Sequence, residues 1–257
     1  MMIEYHVLSP NWIKEVGMLG YIDIHSHILP GIDDGSADEK QTRSMLKDAY
    51  AQGIRTICAT PHFRPSMFRV SLSKRQSAFE LTQSIAAEMF PDMKIFLGNE
   101  LYYAEDGFDY IKDGVCKTMA ETRYVLVEFG TSIDYTLLKK RINRFVMEGY
   151  IPIIAHIERY DNVRTDIERV EELIEAGAYI QVNAEGICES SFPVRKFVKK
   201  LLKYELVHFM ASDSHNDTNR SYNFDKAFSY IIKKYGESYL DKLMYYNPDK
   251  MLNNEYI

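Results

Sequence analysis

The chain has 257 residues, a formal net charge of −6, 46% hydrophobic residues and 26% charged residues, an ordinary balance for a globular enzyme with room for one sizeable α/β domain. The acidic excess speaks against a nucleic-acid binder, which gathers basic charge on one face, and no run approaches the ~18–20 apolar residues of a membrane span. Three cysteines, Cys58, Cys116 and Cys188, form no Cys-x-x-Cys pair and no even framework, so a reducing cytoplasm is the expected setting.

Residues 1–20 read as an N-terminal appendage without the basic-then-apolar layout of a signal peptide. Residues 21–257 read as one domain. Short apolar runs at 21–25, 54–60, 94–99, 124–129, 151–156, 179–183 and 207–212 predict strands. Amphipathic stretches at 37–52, 73–90, 134–148, 165–176 and 193–203 alternate with most of them, and 223–235 and 237–244 follow the last. Ser36, Ser71 or Ser73, and Asp134 are the expected helix caps. Gly53, Gly149 and Gly177 each close a helix just before a strand. Such alternation predicts a parallel sheet, because each crossover returns the chain to the same end. Seven units with no dinucleotide glycine fingerprint favour a closed or nearly closed (β/α) barrel over a doubly wound sheet.

In parallel barrels the chemistry lies at the C-terminal strand ends. The first strand runs into "DIHSHILPGIDDGS", where His25 and His27, two residues apart, share a face, and Asp33 and Asp34 follow. The next strand ends at His62, the third at Glu100, the fourth at Glu128, and the fifth at His156 with Arg159 three residues on. The sixth offers only Asn183 and Glu185, and the seventh ends in Asp213 and His215, with Arg220 after them. Five of the seven histidines thus fall at strand ends; His6 in the appendage and His208 inside the last strand are read as structural. Carboxylates gathered at one mouth repel unless positive charge lies between them. Nitrogen and oxygen donors without thiolate suit Mn²⁺, Fe²⁺ or Zn²⁺. The expected site is a multinuclear metal centre.

The motifs "DIHSHILPGIDDGS", "ATPHF", "GNE", "VEF", "AHIER" and "ASDSHN" resemble the PHP (polymerase and histidinol phosphatase) superfamily. Within it they are most similar to the bacterial tyrosine-phosphatase branch of the CpsB/YwqE type. The resemblance covers roughly residues 18 to 252, and "DDGS", "HIER" and "SDSHN" are its most specific parts. It implies a distorted seven-stranded (β/α) barrel carrying three metal ions, Mn²⁺ before Fe²⁺ or Zn²⁺. It places His25, His27, Glu100 and Asp213 on the first ion, Glu100 with Glu128 and His156 on the second, and Asp34, His62 and His215 on the third. It also implies a substrate: the phosphotyrosines of a bacterial tyrosine kinase that controls capsule or exopolysaccharide synthesis.

Three divalent ions outweigh four carboxylates, and Arg159 and Arg220 add to the excess, so the mouth suits a phosphate dianion. The expected reaction is hydrolysis by a metal-activated hydroxide in line with the leaving oxygen, with the two arginines clamping phosphate oxygens. A tyrosine leaving group, of pKa about 10, needs little protonic help. "CATPHFR" at 58–64 matches the Cys-x₅-Arg pattern of cysteine-dependent phosphatases. Its Pro61 has no N–H for a phosphate cradle, it lacks glycine, and Cys58 reads as a buried strand residue. Phe63, Tyr102 and Tyr103 are candidates for an aromatic rim. The alternatives are a small-molecule phosphomonoesterase such as a histidinol-phosphatase, then a nuclease, which the acidic charge disfavours, then a non-catalytic metal-binding module. The oligomeric state stays open.

Overall fold

The computed structural model describes residues 20–68 and 70–257; apart from Gly20, the expected appendage with His6 lies outside the described residues. β1 (Tyr21–Ser26) leads through α1 (Glu39–Ala51) to β2 (Ile54–Ala59) and, after a break, β3 (His62–Phe63). α2 (Leu72–Met89) returns the chain to β4 (Lys94–Leu97) and β5 (Glu100–Tyr102). There follow α3 (Gly107–Lys112), β6 (Tyr124–Glu128), α4 (Tyr135–Met147), β7 (Ile151–Ile154), α5 (Asp161–Arg164), α6 (Glu168–Glu175) and β8 (Tyr179–Asn183). α7 (Ala184–Cys188) and α8 (Phe192–Lys203) precede β9 (Phe209–Ala211). α9 (Asp225–Tyr235), α10 (Glu237–Asp241) and α11 (Asn247–Leu252) complete the order, with a π-helical turn between the last two.

Every pairing between these strands is parallel, as the crossovers predict. The order is β1-β2-β4 in one sheet and β3-β5-β6-β7-β8-β9 in the other. Nine strands among the described residues replace the seven expected, because two expected strands are each cut in two. The run 54–60 stops at Ala59, and Pro61, which has no N–H to give to a ladder, separates it from His62. The run 94–99 stops at Leu97 and resumes at Glu100. Hydrogen bonds span these cuts: Gly98 N–H donates to Ala59 O at 2.8 Å and Glu100 N–H to Pro61 O at 3.2 Å. At the other seam Ser26 bridges Ser214, Asp213 N–H donates to His25 O at 2.9 Å, and His27 N–H donates to Ser214 O at 2.8 Å.

Residues of opposite parity on the strands feed two apolar clusters. Ile22, Ile24, Leu126, Ile153 and Phe209 join one, which fills the space the strands enclose. Ile57, Val125, Val127, Ile154 and Met210 join the other, which packs under the helices. α1 shows the matching helical stripe, burying Thr42, Met45, Leu46 and Ala49 at intervals of three and four.

The caps follow side-chain chemistry, with one correction. Ser71 and Asp134 accept N–H bonds from Lys74 and Leu137, as expected. The cap of α1 is Asp38, which accepts from Gln41 N–H at 2.9 Å. Ser36, the expected cap, lies two residues earlier and is tied to Thr42 Oγ1 at 2.8 Å. Gly53 sits at φ 87°, where a residue with a Cβ is strained, just after α1. The Asp38→Ala substitution should lower the unfolding free energy by about 1 kcal/mol, read from the urea midpoint, while Asp38→Asn keeps the wild-type value.

Candidate metal centre

The mouth begins with a fault in β1. Asp23 pairs with Ile57 and Ser26 with Ala59, so three steps of β1 face two of β2. A slip of one residue exchanges the faces of a strand. Ile22 and Ile24 point into the enclosed space, yet His25 also turns toward it, and His27 follows two residues on.

The loop "GIDDGS" then folds back over His27. Asp33 Oδ2 lies 2.8 Å from His27 Nδ1 and accepts the His62 N–H at 2.8 Å, while its Oδ1 accepts the Gly35 N–H at 2.9 Å. Gly35 passes so close that a Cβ there would lie 2.1 Å from His27 O and 2.4 Å from His27 Cβ. Asp34 is the member of the pair that faces the mouth, with Oδ1 3.3 Å from His62 Nε2 and 3.5 Å from His215 Nε2.

All nine expected metal ligands converge. His25 Nε2 and His27 Nε2 each lie 3.4 Å from Glu100 Oε2 and 3.4 Å from Asp213 Oδ1. Glu100 Oε1 lies 2.8 Å from His156 Nε2, which is 3.7 Å from Glu128 Oε1. His62 Nδ1 lies 2.9 Å from Glu100 Oε2, and the rings of His27 and His215 stack at 3.8 Å. His27 and His62 therefore border two donor groups each. The sets His25–His27–Glu100, His62–Glu100–Glu128 and His27–Asp34–His62–His215 could each hold an ion.

The ring contacts fix which nitrogens are bare. His27 Nδ1 faces the Asp33 carboxylate and His215 Nδ1 the Asp213 carbonyl at 2.9 Å, so each carries its proton there. In the neutral ring the Nε2 lone pair then turns inward, the arrangement in which an outer acceptor orients a metal-binding imidazole. His25 Nε2 and His27 Nε2 meet at 3.3 Å, a repulsive approach of lone pairs unless a cation or proton lies between them. Glu100 Oε2, His156 Nδ1 and His215 Nε2 are buried without a hydrogen-bond partner; buried polar atoms are seldom left so. Glu100 Oε2 is encircled by three ring nitrogens, His62 Nδ1 at 2.9 Å and His25 Nε2 and His27 Nε2 at 3.4 Å. The donor set fits hard or borderline divalent ions.

The charges are as closely coupled as the distances. Burial alone would raise Glu100 and Asp213, but the neighbouring imidazoles, His25 first, and for Asp213 also the Arg159 charge, hold both well below the usual carboxylate range. Glu128 goes the other way, pushed up to about 7 by burial and by the Glu100 charge. Burial, and then Arg159, press His156 down to about 4, so its ring is neutral near pH 7.

The two arginines meet on one oxygen. Asp213 Oδ2 accepts from Arg159 Nη2 at 2.5 Å and from Arg220 Nη2 at 3.5 Å, while Arg220 Nη1 also lies 3.7 Å from Asp34 Oδ2. A hollow of about 100 Å³ opens between them, lined also by Asn183 and Ser212. A second, mostly apolar hollow of about 340 Å³ opens beside His62, lined by Phe63, Pro65, Phe68 and Tyr110. Of the expected aromatic rim, Phe63 borders this hollow. Tyr103 is instead buried and stacked on Phe129 at 5.3 Å, and Tyr102 lies under the Arg64 guanidinium.

Three participants were not among the expected site residues. Asp33 was indistinguishable from Asp34 in "DDGS", and Glu158 in "HIER" accepts the Asn183 N–H at 2.8 Å. Gln181, inside β8, gave no signal at all. Cys58 is fully buried and its thiol is raised by that burial, so the Cys-x₅-Arg match has no nucleophile.

Residues 21–253 match the family described as "Capsular polysaccharide synthesis, CpsB/CapC". The chain is 36% identical over 242 residues to the tyrosine-protein phosphatase CpsB of Streptococcus pneumoniae, covering 92% of this chain and 100% of that protein. It is 32% identical to the tyrosine-protein phosphatase YwqE of Bacillus subtilis, covering 92% of this chain and 93% of the other. Among solved structures it superposes with a TM-score of 0.84, at 28% identity, on one from a study of YwqE and CpsB as metal-dependent tyrosine phosphatases, with 92% of this chain and 96% of that one covered. A β-aspartyl dipeptidase from Fervidobacterium islandicum shares the fold alone, at TM-score 0.58 and 15% identity, with 91% and 74% covered.

Because Gly35 lies against His27, Gly35→Ala should lower stability by about 1–3 kcal/mol, the cost of an overpacked contact. Thermal unfolding of the chelator-stripped protein measures it; an unchanged midpoint would mean that the loop does not pack on His27 as described.

Proposed function

The chain belongs to the CpsB/CapC family, and from that premise we propose that it is a metal-dependent protein-tyrosine phosphatase. One observation carries the reading: nine side chains with metal-donor atoms converge on one mouth, where Glu100 Oε2 and His215 Nε2 are buried without a hydrogen-bond partner. We assign His25, His27, Glu100 and Asp213 to one divalent ion, Glu100, Glu128 and His156 to a second, and Asp34, His62 and His215 to a third, with Mn²⁺ preferred over Fe²⁺ and Zn²⁺. When bound, such ions activate water near neutral pH and offset charge on the transferring phosphoryl group.

The remaining roles belong to the chain. Arg159 and Arg220, gathered by Asp213, present their planar forks to the hollow between them, where phosphate oxygens would bind. His156, neutral near pH 7, keeps a lone pair available. Glu100 turns one oxygen to His156 and the other to His25 and His27, so it can bridge two donor groups. The apolar hollow beside His62 suits the aromatic ring of a phosphotyrosine better than the polar body of histidinol phosphate. A phenolate leaves without a strong acid, so no general acid is assigned.

The same premise supports a single domain over 21–257 and one distorted seven-stranded barrel, in which β2–β3 and β4–β5 each count as one interrupted strand. Hydrogen bonds across both cuts and the Ser26–Ser214 seam favour that closure. The names of the relatives and of the family favour, as substrate, the phosphotyrosines of a bacterial tyrosine kinase in capsule or exopolysaccharide synthesis. A cytoplasmic setting fits the three unpaired cysteines, and no helix among the described residues is long and apolar enough to cross a membrane.

Phosphate release from a phosphotyrosine peptide tests the proposal. Chelator-stripped protein should be inactive and recover with Mn²⁺. His156→Ala should lose at least the roughly hundredfold that loss of an outer partner of a ligand costs, and Cys58→Ser should keep wild-type turnover. Activity that survives chelation and dies with Cys58 would refute the proposal; faster turnover of histidinol phosphate than of the peptide would move it to the small-molecule class.

A further inference from the structure

β8 carries none of the nine ligands, yet its side chains reach the cluster. Gln181 and Asn183 alternate along it, so both side chains face the enclosed space. Both are almost fully buried.

Their amides have only one consistent orientation. Gln181 Oε1 lies 2.8 Å from the backbone N–H of His156, and a backbone N–H can only donate. That end of the amide is therefore oxygen, and the other end donates to Asn183 Oδ1 at 2.8 Å. Asn183, accepting at its oxygen, donates from Nδ2 to Asp213 Oδ2 at 3.0 Å. The same Gln181 oxygen lies 3.2 Å from His25 Nδ1, so that nitrogen carries the ring proton and Nε2 is left bare toward Glu100 and Asp213.

Two amides thus reach three cluster residues at the ends of three different strands. Two of the three, His156 at φ 32° and Asp213 at φ 52°, hold left-handed backbone, a conformation that persists in non-glycine residues only where the surroundings enforce it. Gln181 grips the backbone of one and Asn183 the carboxylate of the other. We propose that Gln181 and Asn183 are positioning residues of the metal centre: Gln181 sets the tautomer of His25 and the backbone of His156, and Asn183 holds Asp213 Oδ2 outward so that Oδ1 turns to the donors. The inference rests on reading the cluster as a metal centre and is independent of the substrate. A merely structural amide pair would satisfy itself in the core and leave metal affinity untouched.

The test is calorimetric titration of the chelator-stripped full chain with Mn²⁺, alongside thermal unfolding of the same stripped samples. Gln181→Met should weaken Mn²⁺ binding by about 10–100-fold, the usual cost of removing an outer partner of a ligand. Asn183→Asp, which sets a second carboxylate against Asp213, should weaken it at least as much. Gln181→Glu keeps an acceptor for His156 and His25 but loses the donor to Asn183, so its affinity should fall between those of Gln181→Met and wild type. Gln52→Met is the control: Gln52 also bonds backbone at both ends, to Tyr222 O at 2.9 Å and Phe224 N–H at 2.7 Å, but touches none of the donors. It should lose melting temperature and keep affinity. Wild-type affinity in both Gln181 variants, or an equal loss in Gln52→Met, overturns the inference alone. A wild-type chain that takes up no Mn²⁺ overturns the metal reading and this inference together.

Discussion

The structure depends on one electrostatic constraint: carboxylates and imidazoles gathered in a buried mouth need positive charge among them. Coulomb energy between such groups grows as water is excluded. Two of the carboxyls, Glu100 and Asp213, are kept ionised by surrounding imidazoles and, for Asp213, by Arg159, whereas Glu128, facing Glu100, is pushed toward protonation. A cluster so divided can hold itself with protons shared by His25, His27 and His62, whose rings are all raised above the ordinary imidazole range. Divalent cations would supply the same positive charge in place of those protons, and the donor sets could hold them.

The fold brings the donors there and accepts local faults to do so. A slip in β1 turns His25 and His27 inward, Pro61 interrupts the strand that delivers His62, and His156 and Asp213 take left-handed backbone. The two left-handed residues each cost on the order of 1–3 kcal/mol. The supporting contacts lie one layer out. Asp33 orients His27 and grips the His62 N–H, Gly35 leaves room for that loop, and Ser212 ties Asp23 to the seam with its Oγ 2.6 Å from Asp23 Oδ2. The arginines complete the mouth from outside, held by the same Asp213 whose inner oxygen faces the histidines.

Much of this was legible in the sequence, because strand ends are easy to find and their residues were chemically alike. The i, i+2 spacing of His25 and His27 and the placing of five histidines after apolar runs pointed to one mouth without any coordinates. What escaped notice has physical causes. Periodicity marks an apolar run but not an interruption inside it, so the cuts at Pro61 and after Leu97 do not show in it. Asp33 and Asp34 are identical and adjacent, and only the turn of the loop gives one to His27 and the other to the mouth. Ser36 was as good a cap by type as Asp38, but its hydroxyl was drawn to Thr42. Gln181 lay in the middle of an apolar strand, where a lone amide reads as a tolerated polar residue until its partners are seen. Aromatic residues mislead for a similar reason: Tyr103 follows Glu100 closely in sequence, yet its ring is buried against Phe129.

The most direct test of the account is to locate the ions. Crystals grown with Mn²⁺, with diffraction recorded above and below the manganese edge, should show anomalous peaks in three places: among His25, His27, Glu100 and Asp213, among Glu100, Glu128 and His156, and among Asp34, His62 and His215. Peaks elsewhere, or an ordered mouth with none of the three, would contradict the claim that these nine side chains form a metal centre.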